Sequence, residues 1–160
     1  MRSTIRVTNL NKRFGIDIPR VQDAARKIVR RLGKREWYLE LVFVDDDRMR
    51  ILNRKYKKVN RATDVLSFDI GGDPGFGVDD FSGCVFISSD KALTNSFRFD
   101  TVLTNEILLY IIHGILHLAG YDDMTPRDRQ RMSKKESEVL DYLRRKGSLG
   151  EIVKTSPKKR

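Results

Sequence analysis

Residues 107–120 read ILLYIIHGILHLAG, and the architecture turns on what that stretch is. From Ile107 to Ala119 it is the longest apolar run of the chain, yet too short to span a bilayer as a helix. Its length and lack of strict alternation predict a helix over 105–119, buried on all sides, with Gly120 as the stop. A helix apolar all round needs other elements on every face. The two histidines of the chain both stand on it, four residues apart, at His113 and His117. Side chains at i and i+4 project from one helix face one turn apart, so two imidazoles there can grip one ion. The chain then turns through Tyr121-Asp122-Asp123, and a ligand from that turn completes an open three-ligand site of the catalytic kind.

Working outward, Thr4–Leu10 alternates and predicts a strand, and Pro19 opens an amphipathic helix through Val21, Ala25, Ile28 and Leu32 that stops at Gly33. Residues 37–44 predict a second strand. Asp45-Asp46-Asp47 reads as a helix start better than as a metal cluster, because the periodic Met49, Leu52 and Tyr56 follow directly. DVLSFDI (Asp64–Ile70) and GCVFIS (Gly83–Ser88) supply strands three and four, with a glycine-rich loop over 71–77 between them. Ser89-Asp90 caps a short helix, and Thr125-Pro126 opens a final one that buries Met132, Val139, Leu140 and Leu143 and ends at Gly147. Strands and helices mix without a βα repeat, so the fold class is α+β. The expectation is one domain over residues 1–147 and a basic tail over 148–160.

Composition sets the function classes. The chain has 160 residues, 34% charged, with a net charge of +10. That excess creates a field that attracts polyanions. The lone Cys84 excludes an internal disulfide and a multi-cysteine zinc cage. The N-terminus shows no signal-peptide pattern, and no segment reads as a membrane span. A cytoplasmic location and no membrane partner are the expectations.

HGILHLAGYDD (His113–Asp123) closely resembles the HGxLHLxGYDH signature of the YbeY family, bacterial rRNA maturation factors and metal-dependent endoribonucleases. LNRKYKKVNRATDVLSF (Leu52–Phe68) resembles that family's second motif. LELVFVDDD, GCVFIS and Glu106 fall in the same order, so the likeness runs from Trp37 to Leu143. It implies a buried metal-bearing helix surrounded by a four-stranded mixed sheet and further helices. It implies cleavage of single-stranded RNA in small-subunit rRNA maturation and ribosome quality control, with a zinc ion.

Carried over residue by residue, the metal ligands are His113, His117 and Asp123, and Lys57 joins His113 and His117 as the catalytic set. Lys57 and Arg61 are the substrate-binding candidates, Tyr121, Asp122 and Glu106 weaker ones for orienting ligands, and no residue stands out as general base. Three positions depart from the family pattern. Asp123 stands where the third histidine is usual, which makes the ion a weaker Lewis acid and admits Mn2+ or Ni2+ beside zinc. Lys57 replaces an arginine, keeping the charge but losing the bidentate fork. Cys84 replaces an acid. Asp122 has either a turn-forming role or that of orienting a ligand imidazole through its other ring nitrogen. Two other functions compete: a catalytically silent rRNA-binding assembly factor with a structural metal, and a metalloprotease. The latter lacks its glutamate, since Gly114 follows the first histidine.

Overall fold

A computed structural model describes residues 3–71, 81–148 and 150–155. In chain order the elements are β1 (Thr4–Asn9), β2 (Gly15–Ile16), α1 (Ile18–Arg31), β3 (Tyr38–Val44), α2 (Asp46–Lys57), β4 (Val65–Asp69), β5 (Ser82–Ser88), α3 (Ser89–Arg98), α4 (Leu103–Leu118), α5 (Pro126–Arg145) and β6 (Val153–Thr155). The main sheet has four strands in the order β1-β3-β5-β4. The β1–β3 and β3–β5 pairs are parallel and β4 runs antiparallel to β5, so the sheet is mixed and the fold α+β, as expected.

Period-two alternation explains how the sheet is covered on both faces. Leu39, Leu41 and Phe43 of β3, with Val85 and Ile87 of β5, join the main core with α1, α4 and α5. The alternate residues Val42, Val44 and Phe86 face a smaller cluster built on Met49 of α2 and Leu66 of β4. At the centre lies α4, with Ile107, Leu108, Ile111, Ile112, Ile115 and Leu116 all at 0% exposure. The apolar run is thus a helix enclosed by the sheet and by its neighbours.

The helix ends follow their sequence signals. Asp45 caps α2 by accepting from the Arg48 N–H at 2.8 Å, so the acidic trio starts a helix. Thr125 caps α5, accepting from the Asp128 N–H at 3.1 Å. Gly120 has a φ of +97°, the left-handed turn that ends α4 and lets the chain double back. On α3 the cap is Ser88, one residue before the expected Ser89, and its hydroxyl accepts from the Lys91 N–H.

Three features go beyond what the sequence announces. First, the segment from 148 is not a free tail over its described part. Ile152 is fully buried, its carbonyl accepts from the Asp17 N–H at 2.8 Å, and β6 pairs antiparallel with β2. Apolar Ile152 and Val153 drive that docking; residues 156–160 lie outside the described part, as do residues 72–77 of the expected loop. Second, β2 and β6 form a small second sheet that no sequence period announces. Third, Tyr56 lies on the sheet-facing stripe of α2 but is 52% exposed. Among the described residues, no helix is long and apolar enough to cross a membrane.

Candidate metal centre and cleft

One turn apart on α4, the two imidazoles meet with His113 Nε2 and His117 Nε2 3.0 Å apart. Gly120 reverses the chain and returns Asp123 to the same spot. Its Oδ2 is 3.5 Å from His113 Nε2 and 3.4 Å from His117 Nε2. Donor atoms bound to one tetrahedral ion at about 2.0–2.1 Å stand about 3.3 Å from each other. The three separations fit that edge, and the donor set of two imidazole nitrogens and one carboxylate suits a borderline divalent ion. Among the described residues, His113, His117 and Asp123 are the group of such side chains close enough to share a metal.

Sequence reasoning missed the residue behind His113. Glu136 of α5 accepts the His113 Nδ1–H at 2.5 Å. This bond fixes the ring orientation and leaves the Nε2 lone pair facing the other two donors. The signal was present in the sequence: Glu136 falls on the same stripe as Met132, Val139 and Leu143, an acid on an otherwise apolar face. Burial works to lower the His113 pKa. The Glu136 hydrogen bond and charge, with the charges of Asp64 and Asp123, outweigh it, and the net shift is upward.

The other expected residues sort by position. Asp122 accepts the backbone N–H of Asp123 at 2.7 Å, so it shapes the turn and the ring-orienting role goes to Glu136. Glu106 is two turns up α4, about 10 Å along the axis, and accepts the Thr101 hydroxyl at 2.6 Å. Tyr121 packs against the main core. Cys84 is half-buried on β5; desolvation, then the Glu40 charge, pushes its thiol up to about 11, so it carries no charge where the family has an acid.

An open cleft of about 380 Å³ adjoins the cluster, lined by Lys57, Val65, Ser67 and Asp69 beside His117 and Asp123. Lys57, at the end of α2, is thereby brought to the histidine face from 56 residues away in sequence. Arg61 is exposed on the following loop, its carbonyl held by Asn53 Nδ2 at 2.9 Å, and it does not line this cleft.

The floor is set by close helix–sheet packing. A Cβ on Gly114 would lie 2.4 Å from Val85 Cγ1 and 3.2 Å from the Ser67 hydroxyl oxygen. Ser67 donates to the Gly114 carbonyl at 2.9 Å, tying edge strand β4 to the ligand helix. The position after the first histidine therefore faces the sheet and has no room for a side chain. A protease-type glutamate is sterically excluded there.

Comparison with known proteins agrees with this architecture. A family model described as Endoribonuclease YbeY matches residues 6–144. A relative named Endoribonuclease YbeY from Anaeromyxobacter sp. (strain Fw109-5) is 37% identical over 134 residues, covering 79% of this chain and 69% of that protein. Another of the same name from Syntrophus aciditrophicus (strain SB) is 32% identical over 146 residues, 89% of this chain and 91% of that protein. A solution structure from Thermotoga maritima shares the fold, with a TM-score of 0.57 over 98% of this chain and 100% of that one at 24% identity. The family match covers the ligand helix, the turn, the cleft lysine and the helix that carries Glu136, and on that match the chain belongs to the endoribonuclease YbeY family.

Proposed function

We propose that this chain is a metal-dependent endoribonuclease that cuts single-stranded RNA, acting on small-subunit rRNA in the cytoplasm. The observation that carries the reading is the convergence of His113 Nε2, His117 Nε2 and Asp123 Oδ2 beside an open cleft that Lys57 lines together with His117 and Asp123. Relatives bearing the name Endoribonuclease YbeY support RNA as the substrate, and a net charge of +10 suits a polyanion.

His113, His117 and Asp123 hold the ion, zinc first by donor type, with Mn2+ or Ni2+ admitted by the carboxylate. When bound, such an ion supplies Lewis-acid polarisation and lowers the pKa of a water molecule. The chain's own residues do the rest. Glu136 holds the His113 ring in place. Ser67 fixes the distance between the cleft wall and the ligand helix. Lys57 places a positive charge against the phosphate of the strand in the cleft, and Arg61, outside the cleft, meets the backbone further along.

The test is metal analysis of protein purified without chelator, paired with digestion of single-stranded RNA by the parent, His117→Ala and Lys57→Ala. The parent should carry a divalent ion and cut. His117→Ala should lose both, and Lys57→Ala should keep the ion and cut slowly. RNA binding with no cleavage by the metal-loaded parent would overturn the catalytic reading in favour of an assembly factor.

A further inference from the structure

The aromatic ring one residue before the cleft lysine is out of place for a core residue. Along α2 the stripe Met49, Leu52, Asn53, Tyr56 faces the sheet, and Met49 and Asn53 are buried. Tyr56 ends the stripe where the helix overhangs the edge strand β4, and half of its surface stays bare, at 52% exposure. The ring is nevertheless braced. Phe68 of β4 meets it edge-on with centroids 5.0 Å apart and planes at 61°. Phe86 of β5 backs Phe68 in the same manner, at 5.9 Å and 78°. An exposed aromatic held by a column of aromatics presents a rigid π-surface at small entropic cost on binding.

Its surroundings name the ligand class. Arg54, Lys55, Lys57, Lys58 and Arg61 surround the ring in sequence, and none of them has a carboxylate partner among the described residues. Lys55 Nζ lies 5.1 Å from the Tyr56 centroid, on a flexible stem that can swing to a phosphate. Lys57, the next residue, already lines the cleft with His117 and Asp123. Cations without a carboxylate partner among the described residues, interleaved with a bare, braced ring, form the arrangement that takes single-stranded nucleic acid: the cations follow the phosphates and the ring stacks a base. A duplex keeps its bases stacked on each other and offers none to the ring.

We propose that Tyr56 is the base-stacking platform of the substrate strand, taking an unpaired base next to the nucleotide that occupies the cleft as the chain rounds the β4 edge. The platform rests on the endoribonuclease reading and adds to it the feature that selects single strands.

The experiment measures binding of a short single-stranded RNA carrying 2-aminopurine, with the metal-loaded parent, Tyr56→Ala, Tyr56→Leu, Tyr56→Phe and Tyr56→Trp. Thermal melting checks that each variant folds, which the exposure of the ring favours. Tyr56→Ala and Tyr56→Leu should bind about tenfold more weakly and lose the quenching of the fluorescent base, while Tyr56→Phe and Tyr56→Trp keep both. Binding to duplex RNA should be weak and equal in all five. Equal single-strand affinity of Tyr56→Ala and parent would overturn the platform and leave the nuclease reading standing. No binding or cleavage by the parent would instead remove the nuclease reading. Loss of affinity shared equally by polyglutamate and RNA would show a surface for acidic protein and overturn the platform.

Discussion

Glu136 and His113 belong to different helices, and the carboxylate of the first receives the Nδ1–H of the second at 2.5 Å. The ring of a candidate ligand is thus oriented from a helix that contributes none of the three clustered donors. Removing that acceptor should loosen the ring and weaken the ion's binding about 10–100-fold in Glu136→Ala. Glu136→Gln keeps an oxygen facing Nδ1 and should recover most of the affinity. Chelator competition reads both, with Glu138→Ala as a control on the same helix; identical affinities in the alanine and parent proteins would remove Glu136 from the site.

The turn carries two adjacent acids with different duties. Asp123→Ala should lose most of the metal, and Asp123→His should keep it, since an imidazole reaches the same position. Asp122→Ala should fall between, because Asp122 accepts the Asp123 backbone N–H and is not among the three clustered donors. Metal content after gel filtration decides. Full occupancy in Asp123→Ala with loss in Asp122→Ala would reverse the assignment.

The raised His113 pKa gives the metal-free and metal-bound proteins opposite responses to pH. A group whose pKa is higher folded than unfolded stabilises the fold below its unfolded value. That contribution fades as pH rises through the folded value. The ion requires the neutral ring, so occupancy grows over the same rise. Melting temperatures with chelator should therefore fall as pH rises above the ordinary imidazole value of about 6.5, while the increment added by the ion should grow. An increment that shrinks with rising pH would contradict this.

Gly114 has no space for even one carbon. Gly114→Ala should cost about 1–3 kcal/mol through overpacking against Val85, and urea titration measures it. An unchanged midpoint would mean that α4 and β5 can part freely, and the close tie through Ser67 would lose its importance.

What the sequence made legible were the strong, long-period signals. The apolar run with histidines at 113 and 117 marks a buried helix and its ligand face together, because one spacing serves both. Caps at Asp45 and Thr125 and the turn at Gly120 use side-chain or backbone chemistry confined to a few residues. The features that escaped depend on distant partners. The pairing of Gly15–Ile16 with Val153–Thr155 is too short to show a period. Glu136 looks like one more charge on a charged helix until its stripe is compared with Met132 and Val139. Tyr56 has the right period for burial, and only the position of the β4 edge leaves it bare.

The anchoring of α4 has a bearing on how the protein acquires its ion. Six large side chains of that helix are fully enclosed without any help from His113 or His117. The ligand scaffold is therefore assembled before an ion arrives, unlike small domains that need the metal to fold. An ion bound by His113, His117 and Asp123 would then enter a surface pocket that is already formed. On the proposed metal reading, an ion held there could be removed and replaced while the chain stays folded.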